Sequence, residues 1–140
     1  MIIIAVDYGK SRTGLAICDK KEILSFPLGV VEEKNMEILC EKIKEKIIEN
    51  KAELAIIGLP KNMDGSLGES AKNSKKLGET LKSIIDINID FWDERKTTVT
   101  AHEYLNQTNT RGKKRKSIID AVSATIILQN YLDYRKKSRV

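Results

Sequence analysis

Histidine occurs once in the 140 residues and cysteine twice, at Cys18 and Cys40. Without a Cys/His cluster, no zinc site is expected. The two cysteines are far apart and fall within apolar patterns. Packed, reduced thiols of a cytoplasmic protein are therefore expected, not a disulfide framework. The lone His102 sits on a polar helix face and reads as surface decoration. Aromatic residues make up 5%, so no stacking platform for single strands is evident. No stretch is long enough to cross a membrane, and the start lacks the basic region and small-residue cleavage site of a secretion signal. No internal repeat or linker is visible, so residues 1–140 are read as a single domain able to bury a core of its own. Lys and Arg number 25 against 20 Asp and Glu, a net charge of +5, which permits a polyanionic partner without requiring one.

What is present begins with a short strand apolar on both faces, Ile2 to Val6, ending at Asp7. Gly9 and Gly14 bracket a polar turn, and a second strand starts at Leu15, giving a hairpin. Ile23 to Val31 reads as a third strand, and Pro27 puts it at an edge because proline cannot donate to a ladder. Asn35 caps a helix whose apolar positions Met36, Leu39, Cys40, Ile43 and Ile47 recur every three to four residues. Leu54 to Gly58 is a second central strand. A polar loop follows, and Ser66 caps a second helix carrying Ala71, Leu77, Leu81 and Ile84 or Ile85 inward. Gly78 weakens that helix unless something packs closely on it. Ile87, Ile89 and Phe91 alternate with polar residues as an edge strand. A third helix is expected from Thr97 or Thr98 to about Leu105. The basic run Arg111 to Lys116 reads as a loop before a last helix from Ser117 to about Tyr134.

Two central strands, a hairpin partner of the first and two edge strands fit an α/β fold with a five-stranded mixed sheet of order 3-2-1-4-5 and helices on both faces, the parallel strands joined by right-handed crossovers. That order puts Asp7, the Gly58–Gly65 loop and Asp93-Glu94 on one rim, where ligands of open α/β sheets gather. Acids from different elements beside basic loops suit metal-assisted phosphodiester hydrolysis, with Mg²⁺ or Mn²⁺ held by a few carboxylates. Asp7 is one acid. Asp93 or Glu94 is the second; Glu94 is preferred, because its longer side chain can reach across the intervening strand. Asp120 offers a third, although Ser117-x-x-Asp120 also has the spacing of a capping box. Lys10, Arg12, Lys61, Asn62 and Arg95 are candidate phosphate contacts, as are Arg111, Lys113, Lys114, Arg115 and Lys116. Arg95 reads equally as half of a surface ion pair, and Arg135 to Arg139 as residues that keep the tail soluble.

The chain resembles the YqgF/RuvX family, the pre-16S rRNA nucleases also called Holliday-junction-resolvase-like proteins. The resemblance rests on Asp7-Tyr8-Gly9 with Arg12 and Gly14, on Gly58-Leu59-Pro60-Lys61-Asn62-Met63-Asp64-Gly65, on Asp93-Glu94-Arg95 with Thr97-Thr98, and on Lys113 to Lys116 with Asp120. These pieces fall in family order and span nearly the whole chain. The resemblance implies a ribonuclease-H-like fold and a hydrolase, a metal-dependent endo- or exonuclease that matures the 5′ end of small-subunit rRNA. It places the acids at Asp7, Glu94 and Asp120. One departure stands out. RuvC-type resolvases carry an acid at the end of strand 4, where this chain has Gly58-Leu59-Pro60, so junction-resolving geometry is put in question. Precursor rRNA is the expected partner, with branched DNA the alternative, and the protein is expected to be a monomer or weak homodimer. The competing readings are a junction resolvase, a non-catalytic ribosome-assembly factor, and a sugar-kinase-like ATPase, which would need two such domains.

Overall fold

The computed structural model describes the backbone of residues 1–97 and 112–138 and the side chains of residues 1–97 and 121–138. The chain runs β1 (Ile3–Asp7), β2 (Arg12–Cys18), β3 (Ser25–Glu32), α1 (Met36–Asn50), β4 (Leu54–Leu59), α2 (Glu69–Ile84), β5 (Asn88–Asp93), a 3₁₀ turn (Glu94–Lys96) and α3 (Gly112–Ser138). The sheet order is β3-β2-β1-β4-β5. Strands β1, β4 and β5 are parallel, while β2 and β3 pair antiparallel as a meander.

Strand alternation sorts the core into two layers. Ile3, Ala5 and Ile56 pack with Trp92 against Ile127, Leu128 and Leu132 of α3. Ile4, Val6 and Ile57 pack against Leu39, Cys40 and Ile43 of α1 and Leu77 and Leu81 of α2. Every residue of β4 is buried, as the apolar run required. At the β3 edge, Pro27 lies opposite Ala16, next to a register shift, the accommodation expected of proline in a ladder.

Gly78 explains itself at the contact between α2 and the sheet. A Cβ there would stand 2.8 Å from Phe91 Cζ and 3.1 Å from Ile57 Cδ1, so the missing side chain lets the helix press onto β4 and β5. Asn35 caps α1 as its sequence implied, Oδ1 accepting from Ile38 N at 3.0 Å. Three local expectations are corrected. Residues Arg12 to Gly14 belong to β2, so the first turn spans only 8–11. The cap of α2 is Gly68, not Ser66, because the Ser66 hydroxyl is engaged by Asp64 and Asn62. The last helix begins at Gly112, so Lys113 to Lys116 are helical and Asp120 is two turns inside, which removes its capping-box role. The helix expected from Thr97 or Thr98 to Leu105, with His102, lies outside the described residues, as does Arg111.

Candidate active site at the carboxyl rim of the sheet

Asp7 closes β1. Val6 pairs with Ile57 on β4, so Asp7 lies one step further along, beside Gly58, and its other neighbour is Gly14 on β2. Alternation along β1 assigns it to the layer of Ile3 and Ala5, the side covered by α3. The turn that follows is tight: a Cβ on Gly9 would fall 2.1 Å from the Arg12 carbonyl oxygen, a position only glycine can fill. Fully buried Thr13 braces it, its hydroxyl donating to the Gly9 carbonyl and accepting from the Gly9 N–H, both at 3.4 Å. Lys10 is exposed on this turn, and Arg12 lies opposite Glu32 on β3.

The Asp93-Glu94 pair divides its labour. Asp93 Oδ1 accepts from Arg95 N at 3.0 Å, capping the 3₁₀ turn. Its carboxylate also takes Arg95 Nε at 3.0 Å and Nη2 at 2.6 Å. The Arg95 hydrogen bonds hold the Asp93 carboxyl down at about 2. Arg95 is therefore the ion-pair partner its simpler reading described, and Asp93 is committed to it. Glu94 points the other way, over β4. A Cβ built on Gly58 would stand 3.1 Å from Glu94 Oε2 and 3.3 Å from its Cδ. Burial, followed by the negative charge of Asp93, raises the Glu94 carboxyl above its ordinary value. The structure thus brings Glu94, not Asp93, toward Asp7. The backbones of strands β1 and β5 are roughly 10 Å apart, and the Glu94 side chain reaches over β4, the strand between them.

The 60–66 loop is built on itself. Asn62 Nδ2 donates to Ser66 Oγ at 3.0 Å, Ser66 Oγ donates to Asp64 Oδ1 at 2.6 Å, and Gly65 supplies a φ of +87°. Asn62 is thereby tied into the loop, while Lys61 faces β5. Asp120 lies on α3 two turns before Ile127, the residue that packs over Gly58. The side chains of Asp120, Lys113, Lys114, Arg115 and Lys116 lie outside the described residues. Among the described residues no three His, Cys, Asp or Glu side chains cluster as a metal site; the carboxylates of Asp7 and Glu94 are of the hard oxygen-donor type.

Sequence reasoning missed Lys96 and its setting. Its ammonium lies 5.5 Å from the Trp92 ring and 5.1 Å from the Tyr134 ring. Phe91, Trp92, Tyr131 and Tyr134, four of the seven aromatic residues, line an open cavity of about 500 Å³ with Lys61 and Lys96. A low aromatic total concealed their convergence on one edge. The i, i+3 spacing of Tyr131 and Tyr134 was the only available signal.

Known proteins share this architecture. A family model described as "RuvX: Holliday junction resolvase" matches residues 1–134. A protein of Halothermothrix orenii named "Putative pre-16S rRNA nuclease" is 42% identical over 137 residues, covering 98% of each chain. A protein of the same name from Clostridium botulinum is 38% identical over 133 residues, covering 95% of this chain and 97% of its own. Among solved structures, Thermus thermophilus RuvC superposes with a TM-score of 0.63 at 11% identity, over 98% of this chain and 97% of that one. That likeness shows a shared ribonuclease-H-like fold.

Proposed function

The chain belongs to the RuvX family, and from that membership we propose that it is a nuclease that hydrolyses phosphodiester bonds with a divalent metal, Mg²⁺ or Mn²⁺, at the rim formed by Asp7, Glu94 and Asp120. The observation that carries the reading is the Glu94 carboxylate lying over Gly58, next to the end of β1. Asp7 at the end of β1 and Glu94 on the 3₁₀ turn after β5 thus flank the same stretch of β4, and α3 carries a third acid past that strand. Carboxylates are the donors that Mg²⁺ and Mn²⁺ take. When bound, such an ion supplies a nucleophile at neutral pH and charge stabilisation for the leaving oxygen.

The remaining work belongs to the chain itself. Asp7, at the end of β1, and Glu94, on the 3₁₀ turn that follows β5, would hold the metal. The Asp93–Arg95 pair holds the 3₁₀ turn so that Glu94 faces inward. Lys10, Lys61, Lys96 and the basic start of α3 flank the rim and attract the phosphate backbone. The substrate that suits the family resemblance is precursor 16S rRNA, processed at its 5′ end.

The test is cleavage of precursor rRNA, and in parallel of a four-way DNA junction, with Mg²⁺ or Mn²⁺, by the wild type and by Asp7→Asn. The expected outcome is rRNA cleavage that falls by orders of magnitude in Asp7→Asn while RNA binding persists or tightens. Asn keeps the shape of Asp but removes a metal-binding charge, and binding rests on the basic residues. Preferential cleavage of the junction would move the substrate to branched DNA. Wild-type protein that binds rRNA but cleaves nothing with either metal would make it an assembly factor.

A further inference from the structure

We infer that Gly58 is a positioning residue for the proposed site: the absence of a side chain at this point of β4 is what admits the Glu94 carboxylate to the strip of sheet beside Asp7. The inference rests on the reading of Asp7 and Glu94 as metal-binding acids and adds a residue that carries no donor of its own.

Gly58 sits in the middle of the sheet, paired with Trp92 on one side and adjacent to the end of β1 on the other. It follows four buried residues with side chains, Leu54 to Ile57, and precedes buried Leu59. Its backbone gives no reason for glycine. Among the described residues the glycines with positive φ are Gly29 and Gly65, so Gly58 has ordinary extended geometry. Glycine there weakens the strand and needs another cause, most often a close approach. The approach is visible. A Cβ at position 58 would meet Ile127 Cδ1 at 3.0 Å from above and Glu94 Oε2 at 3.1 Å from the side, inside the 3.5–4.0 Å of relaxed carbon contacts. Alternation puts position 58 in the layer of Leu54 and Ile56, the layer that faces α3. Two groups therefore claim the vacancy, one from the core and one from the site, and substitution separates them.

Gly58→Ala crowds both groups. Ile127→Val deletes the Cδ1 atom and relieves the core contact alone. The measurements are Mn²⁺ affinity by calorimetry, without nucleic acid, and the melting temperature, for the wild type, Gly58→Ala, Ile127→Val, Gly58→Ala/Ile127→Val and Glu94→Gln. The expected result is a Mn²⁺ affinity about tenfold weaker in Gly58→Ala, the scale on which displaced supporting groups affect metal sites. The double variant should regain the melting temperature of Ile127→Val yet keep the weakened affinity, approaching that of Glu94→Gln. Recovery of affinity together with melting temperature would make Gly58 a packing position and overturn the inference. So would wild-type affinity in Gly58→Ala, or a double variant that fails to fold where Ile127→Val folds. A wild type that binds no Mn²⁺ would instead remove the metal reading itself, and this inference with it.

Discussion

At the scale of single residues, Glu94 shows how environment sorts two adjacent carboxylates. Asp93 is held ionised by Arg95, while Glu94, drawn over the sheet, is desolvated and faces the charge of its neighbour. A carboxyl raised in the folded state costs stability at pH above both its folded and unfolded values, and the cost disappears as pH falls below the unfolded one. Glu94→Gln should therefore stabilise the protein at neutral pH, by roughly 0.5–2 kcal/mol as single stabilising changes do, with the gain fading in acid. Thermal melts of both proteins at pH 7 and pH 4 check this; equal stability at pH 7 would show that the carboxylate is not strained where it lies. The Asp93–Glu94 choice was legible only in part. Side-chain length favoured Glu94, but the capping bond from Asp93 to the 3₁₀ turn depends on how the chain leaves β5.

At the scale of elements, α3 corrects the simplest reading of charge. A run of Lys and Arg looks like a solvated loop, yet these residues are good helix formers, and the helix starts at Gly112. Helical phase then divides the run. Positions 113, 116 and 120 fall on the same stripe as 127, whereas 114 and 115 fall about 100° and 200° round from 113. Lys113→Ala/Lys116→Ala should weaken RNA binding more than Lys114→Ala/Arg115→Ala, and should reduce the salt slope of log K by up to about 0.7–0.9 for each phosphate no longer neutralised. Titrations at several salt concentrations decide it; equal slopes for the two double variants would mean that the helix does not present its basic start edge-on. The 60–66 loop teaches the companion lesson. Ser66 has the residue type of a cap, but Asp64 and Asn62 lie close enough to take its hydroxyl, and α2 starts later.

At the scale of the whole molecule, one ion-pair junction ties three distant parts of the chain. Glu22 accepts from Arg135 Nε at 2.6 Å and from the Met1 ammonium at 3.0 Å. The start of the chain, the β2–β3 connection and the end of α3 thus meet at the edge away from the rim, and Arg135 does more than solubilise a tail. Burial pushes the Glu22 carboxyl up, but the hydrogen bonds from the ammonium and from Arg135 outweigh it, and the net displacement is downward from 4.5. A carboxyl depressed in the folded state contributes stability above its unfolded value, and the contribution is lost as pH falls through the folded one. Glu22→Gln should lower stability at pH 7 by roughly 1.5–3 kcal/mol, the range of hydrogen bonds to charged groups, and the two proteins should melt alike in strong acid. A constant difference across pH would assign the loss to packing.

The sequence by itself determined the strands, their order and the rim. Two runs apolar on both faces must be central, a proline-bearing strand and an alternating strand must be edges, and little freedom is left once crossovers have one hand. The motifs Asp7-Tyr8-Gly9 and Asp93-Glu94-Arg95 likewise announced the family. Only the tertiary structure decided which acid turns inward, that the space over Gly58 is taken by groups from the 3₁₀ turn and from α3, and that scarce aromatics gather on one edge. Periodicity reports which face a residue takes on its own element. The space above a glycine, the partner of a carboxylate and the company of an aromatic ring are set by elements far away in the chain, and no local pattern records them.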